Sequence, residues 1–187
     1  GIAYAPAGWA RKPPQVPVDT RIIAEEDRAA ETERFRAAAE TVAARFAARA
    51  SAATGAASEV LAATATLAED RGWIRTATRQ IGAGKPATTA TAEAIAKFVS
   101  QFEKIGGLMA ERTTDLKDIR DRVIAEILGL PEPGVPQPDQ PIILLAPDLA
   151  PSDTAGLDPS KILGRVTQFG GPTSHTAIIA RQLGIPC

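Results

Sequence analysis

The chain has 187 residues, 44% of them hydrophobic and 23% charged, enough apolar material for one large domain or two small ones. Its 21 Lys and Arg stand against 22 Asp and Glu, and this balance argues against a dedicated nucleic-acid binder, which carries a basic excess. The one cysteine, Cys187, rules out a disulfide framework within the chain and fits a reducing compartment. No apolar run approaches the ~20 residues of a spanning helix, and residues 1–10 lack the charged start and apolar core of a signal peptide.

Residues 1–20 are Pro-rich, with short apolar stretches at 2–4 and 16–18 that suit a strand, a loop and a second short strand. Residues 21–130 are Ala-rich and, apart from Pro86, free of proline. Here Phe35, Ala38, Ala39, Val42, Phe46, Ala50 and Ala53 fall three and four apart, as on one face of a helix. A weaker helical stretch covers about 58–68 and resumes near 73–80. Ile95, Phe98, Val99, Phe102 and Ile105 repeat the stripe. Gly106-Gly107 breaks it, and Met109, Arg112, Leu116, Ile119, Val123 and Ile127 form the last one, with Gly129 at the expected C-cap. Four helices with short connections predict an antiparallel bundle.

Residues 131–140 hold four prolines and read as a linker, since proline removes helix donors. Beyond it, the apolar run 141–146 fits a buried strand. A short helix follows from Pro151, with Asp148 or Ser152 as caps. Residues 162–167 form a second strand, and Gly170-Gly171-Pro172 a turn. Thr173-Ser174 then cap a helix to about Leu183, which Gly184-Ile185-Pro186 end.

His175 is the only histidine, and this reading places it in the first turn of that last helix. The N–H groups there lack intrahelical acceptors and the helix dipole is positive, so an anion beside His175 finds donors ready. Glycines let backbone approach a phosphate closely. An imidazole is a competent nucleophile near neutral pH. A phosphoryl acceptor needs these parts, although a lone histidine at a helix start can equally be a plain surface residue. A metal site is disfavoured because there is no second His. Ser174 lacks the flanking glycines of a nucleophile elbow.

The run Gly170-Gly171-Pro172-Thr173-Ser174-His175-Thr176-Ala177-Ile178-Ile179-Ala180-Arg181, followed by Leu183-Gly184-Ile185-Pro186, resembles the phosphohistidine signature of the phosphoenolpyruvate-utilising enzymes. Its Thr-Ser-His-Thr centre is similar to that of Enzyme I of the sugar phosphotransferase system. Pyruvate phosphate dikinase and phosphoenolpyruvate synthase more often have Cys before the His. Gly1-Ile2-Ala3 resembles the family's opening strand. Glu111-Arg112-Thr113-Thr114-Asp115-Leu116-Lys117-Asp118-Ile119 resembles an Enzyme I helix, and residues 144–154 its strand and Pro-Ser-x-Thr turn. Ala5 and Ala150 depart from the commoner pattern.

The resemblance implies an α/β phosphohistidine (swivelling) subdomain from residues 1–20 plus 135–187, with its last strands missing, and an inserted four-helix subdomain from 21–130. It implies that His175 takes a phosphoryl group from phosphoenolpyruvate and passes it to the phosphocarrier protein HPr. Thr154 would hydrogen-bond the imidazole, or else satisfy only its own backbone. Gly170, Gly171, Thr173, Ser174 and Thr176 would support the site. Thr64, Leu67, Met109 and Arg112 match carrier-docking positions. Met109 could instead be core, and Arg112 could merely pair with Asp115 or Glu111. The phosphoenolpyruvate and Mg²⁺ sites, and the contact of a homodimer, would lie on a barrel domain beyond Cys187. The expected protein is therefore a cytoplasmic phosphotransferase, and this chain a monomeric fragment of it with no metal of its own. Rival readings are the phosphohistidine domain of a dikinase, a synthase or a dihydroxyacetone multiphosphoryl subunit, or a non-enzymatic helical interaction module.

Overall fold

The structure, a computed structural model, describes residues 1–171 and 174–187, and of His175 the backbone. The chain divides into two compact units. One holds Gly1–Lys12, Ala47–Ala63 and Pro133–Cys187, and the other Pro13–Phe46 and Thr64–Glu132. Among the described residues no helix is long and apolar enough to cross a membrane.

The second unit is helical. Its residues belong to α1 (Arg28–Ala52), α2 (Gly55–Ala68), α3 (Arg71–Gly82), α4 (Ala87–Ile105), α5 (Gly107–Glu111) and α6 (Thr113–Ile127). The first stripe forms as its spacing predicts, with Phe35, Ala38, Ala39, Val42 and Phe46 all buried. The expected bundle of four becomes six helices in residues 28–127, for two local reasons. Asp70 accepts from the Gly72 N–H at 2.8 Å and so starts α3 as a separate helix. Gly106 and Gly107 both take positive φ, 73° and 57°, which ends α4 and sets α5 at a new angle. The buried Trp73 meets Phe35 edge-on, with ring centres 5.6 Å apart, and donates its indole N–H to the Leu67 carbonyl at 3.1 Å. Helix α4 packs against both α3 and α6. Gly129 takes φ 67° after α6. The Gly129 and Leu130 N–H groups close onto Glu126 and Ala125 carbonyls in a Schellman arrangement.

The first unit is a three-stranded parallel sheet, order β1 (Ala7–Trp9), β2 (Ile142–Ala146), β3 (Ile162–Thr167). Helix α7 (Pro151–Ala155) links β2 to β3, and α8 (His175–Gln182) follows β3. One sheet face supplies Ile142, Leu144, Ala146 and Ile162 to a core completed by Leu149, Leu157, Ala180 and Ile185. The expected strand at 2–4 is displaced to 7–9, and Ile2 and Tyr4 stand fully exposed. A Cβ on Gly8 would lie 2.6 Å from the terminal methyl of Ile142, so the Ile142 side chain packs over this glycine. The expected strand at 16–18 does not form, because Pro13, Pro14 and Pro17 remove ladder donors.

The domain boundaries differ from the expected ones. Residues 13–20 group with the helices. Residues 47–63, the end of α1, the turn after it and the first part of α2, group with the sheet unit. They line a cleft of about 440 Å³ through Arg49, Ala53 and Ala57, facing Ala155, Gly156 and Leu183. The Pro-rich segment carries no helix, and Gly134 bridges to Arg11 through paired backbone bonds of 2.8 and 3.1 Å.

Candidate active site

Helix α8 begins at His175, where the sequence places it. Ser174 is its N-cap, with φ −63° and ψ 153°, and its Oγ accepts from the Ala177 N–H at 3.2 Å. The Ser174 and Thr176 hydroxyls lie 3.0 Å apart. The cap satisfies one first-turn donor, and the helix offers no partner of its own to the others. Gly170 takes φ 106°, a conformation that suits glycine. A Cβ on Gly171 would meet nothing within 4 Å, so the backbone is open on that side. The loop is anchored where it leaves β3, since Gln168 and Phe169 N–H groups reach the Ala146 and Pro147 carbonyls at 3.2 and 2.9 Å. At the other end, Gly184 takes φ 72° and the Ile185 N–H closes onto the Ala180 carbonyl at 2.9 Å. Thr173 lies outside the described residues, as does the side chain of His175. Ser174→Ala removes the cap and should lower the unit's stability by ~1 kcal/mol, measured by chemical denaturation.

Thr154 lies in α7, and α7 packs against α8. Pro151 opens α7 behind Ala150, which makes no side-chain cap. The expected caps are thus corrected: the Asp148 carboxylate bonds the Leu149 N–H at 2.8 Å, and Ser152 is buried inside α7. Thr154 is fully buried, and its hydroxyl accepts from Arg165 Nη1 at 3.3 Å. Sequence reasoning did not single out Arg165. Strict alternation along β3 would turn it away from the core that holds Ile162. Pairing slips, however: Ile142 faces Ile162, yet Ile143 faces Gly164 and Leu144 faces Arg165. This irregularity spends one extra residue on β3 and reverses every side chain after it. Arg165 therefore shares the covered face with Leu144 and is only 5% exposed, while Val166 turns out to 57%.

The four expected carrier-docking residues all lie in the helical unit. Thr64 has no exposed surface. Leu67, Met109 and Arg112 are half-buried. Leu108 and Ile105, which the sequence reading did not assign to docking, are 80% and 67% exposed. Arg112 joins α5 to α6, one turn before Asp115. Burial pushes the Asp115 carboxyl up to about 6; the Arg112 charge opposes this and Asp118 adds to it. Among the described residues no cluster of three His, Cys, Asp or Glu side chains could hold a metal ion.

Comparison with known proteins places the chain. Residues 1–112 match the family model described as PEP-utilising enzyme, N-terminal, and residues 138–187 match PEP-utilising enzyme, mobile domain. A phosphoenolpyruvate-protein phosphotransferase from Streptomyces coelicolor is 46% identical over 164 residues, covering 88% of this chain and 30% of that protein. The chain therefore spans under a third of that relative's length. An Enzyme I protein solved by NMR superposes with a TM-score of 0.78 at 30% identity, over 97% of this chain and 75% of the other. A second solved structure, the N-terminal domain of Enzyme 1 - Nitrogen, superposes with a TM-score of 0.68 at 25% identity, over 100% of this chain and 78% of the other. With a capped helix opening at its one histidine, and with both matches on either side of the Pro-rich segment, the chain belongs to the PEP-utilising enzyme family and has the fold of an Enzyme I N-terminal domain.

Proposed function

We propose that this chain is the phosphoryl-relaying part of an Enzyme I, with His175 as the group that carries the phosphate. A neutral imidazole nitrogen attacks the phosphorus of phosphoenolpyruvate. The P–N bond forms as the P–O bond breaks, and the electron pair leaves with the enolate of pyruvate. The acceptor group of HPr then attacks the same phosphorus and returns the imidazole to its neutral state. The chain's own part is to hold the nucleophile and to surround the transferred oxygens with donors.

The observation that most supports this reading is the start of α8 at the chain's only histidine, behind a positive-φ glycine and an N-cap serine. Phosphoenolpyruvate and Mg²⁺ are assigned to a barrel domain of the whole protein, where the cation would offset phosphate charge. By this reading the protein acts in the cytoplasm as a homodimer, and the present residues take label from phosphorylated HPr but not from phosphoenolpyruvate alone. Radiolabelled phospho-HPr should label the chain with an acid-labile, base-stable bond. Absence of label with a competent carrier would count against the relay.

HPr docking is assigned to Leu67, Met109 and Arg112 of the helical unit. Exposed Leu108 and Ile105 supply the apolar area that a partner can cover. Arg112→Ala should weaken HPr binding by about tenfold, the size expected for a lost charged contact, while the chain stays folded. Unchanged affinity in titration calorimetry would remove Arg112 from the docking surface.

A further inference from the structure

Arg165 is a buried cation with no counter-ion among the described residues. Its guanidinium donates from Nη1 to the Thr154 hydroxyl, and its Nε–H has no acceptor among the described residues. A guanidinium stays charged at any working pH and presents five donors. Burying such a group unpaired is costly, and an apolar side chain of similar size would be the cheaper choice at this position. The fold nevertheless turns it inward by a local irregularity in β3, against the alternation of its own strand.

Its position gives that placement a use. Arg165 stands two residues before the end of β3, on the face that also carries Leu144. That face is covered by the core to which Ala180 of α8 belongs. The carboxyl end of β3 leads into the glycine turn and the first turn of α8. Ligands of parallel α/β sheets gather at this end of the strands. Since Arg165 can only donate, the Thr154 oxygen is the acceptor of this bond, and its O–H remains a donor. Arg165 and Thr154 thus form a buried, hydrogen-bonded pair that joins β3 to α7, the helix packed against α8, and among the described residues no carboxylate pairs with Arg165.

We propose that Arg165 is an anion-recognition residue of this site, holding Thr154 in place and giving its remaining guanidinium N–H groups to oxygens of the phosphoryl group carried at the start of α8. The choice of a phosphoryl group as the anion rests on the relay reading; the presence of an anion site does not. A planar guanidinium meets two phosphoryl oxygens at once. It would stabilise the charged phosphorylated state over the free one.

The test uses the whole 187-residue chain and two readouts. Inorganic phosphate is titrated while the Arg165 Nε–H resonance and the α8 amide resonances are followed by NMR. The equilibrium level of label taken from phospho-HPr is measured in parallel. Wild type should shift the Nε–H signal on adding phosphate. Arg165→Met should bind phosphate at least ~10-fold more weakly and hold ~10-fold less label, with a melting temperature equal to or above wild type. Arg165→Lys, which keeps the charge but loses the fork, should fall between them and serves if the Met variant fails to fold. A wild-type Nε–H signal indifferent to phosphate, or an Arg165→Met chain that binds and holds phosphate like wild type, would overturn the proposal. If phosphate binds at Arg165 but no label reaches His175, the relay fails and the anion site stands. If label reaches His175 and Arg165→Met holds it equally well, the relay stands and the role given to Arg165 fails.

Discussion

His175→Ala is expected to abolish uptake of phosphate from phospho-HPr, by at least ~10⁴-fold, the scale seen when a nucleophile is deleted. The loss should not come from unfolding. The helix is fixed at its start by the Ser174 cap and Gly170 at φ 106°, and at its far end by the Gly184 closure, none of which needs the imidazole. Alanine is the best helix former, so the variant's circular dichroism and denaturation midpoint should match wild type. The chain holds no second histidine to take over. Serine and threonine hydroxyls nearby, Ser174 and Thr176, are bonded to each other and are poor nucleophiles without a base. Residual labelling near the wild-type level would mean that another group carries the phosphate.

The second large effect concerns stability. Asp115 is 9% exposed, its Oδ1 has no hydrogen-bond partner among the described residues, and burial raises its carboxyl from 3.8 to about 6. The folded carboxyl keeps its proton to a higher pH than the unfolded one. Between about pH 4 and 6 the folded state therefore binds more protons, and its stability falls as pH rises through that window. The displacement corresponds to ~3 kcal/mol, fully present below the unfolded value and lost above the folded one. Asp115→Asn keeps the shape and removes the charge. It should recover up to ~3 kcal/mol at pH 7.5 and flatten the slope between pH 4 and 6. Denaturation curves at several pH values that coincide for wild type and variant would contradict this. Arg112→Ala should act oppositely at neutral pH, because the Arg112 charge partly offsets the rise that burial imposes on the Asp115 carboxyl.

Much of this organisation is legible in local patterns. The strand at β3 and the helix at α8 follow from period and punctuation: an apolar run, then Gly-Gly, then Ser as a cap, then Gly at the far end. The stripe from Phe35 to Ala50 announces α1 in the same way. What the pattern could not give depends on partners distant in sequence. Residues 2–4 have the composition of a strand, but Gly8 is the residue that fits against Ile142, and only packing against β2 reveals it. The complete burial of Thr64 is likewise a tertiary property that its place in an Ala-rich run does not announce. Arg165 is the sharpest case. Alternation assigns it to the outer face, and a one-residue slip against β2 reverses that assignment. Such slips leave no signal in a single sequence.

If one imidazole carries the phosphate, label taken from radioactive phospho-HPr should stay with it when the chain is digested under alkaline conditions that preserve phospho-imidazole and the peptides are mapped. All of the label is expected on the peptide containing His175. Label on any peptide lacking that residue, or an unlabelled chain beside an active carrier, would contradict it.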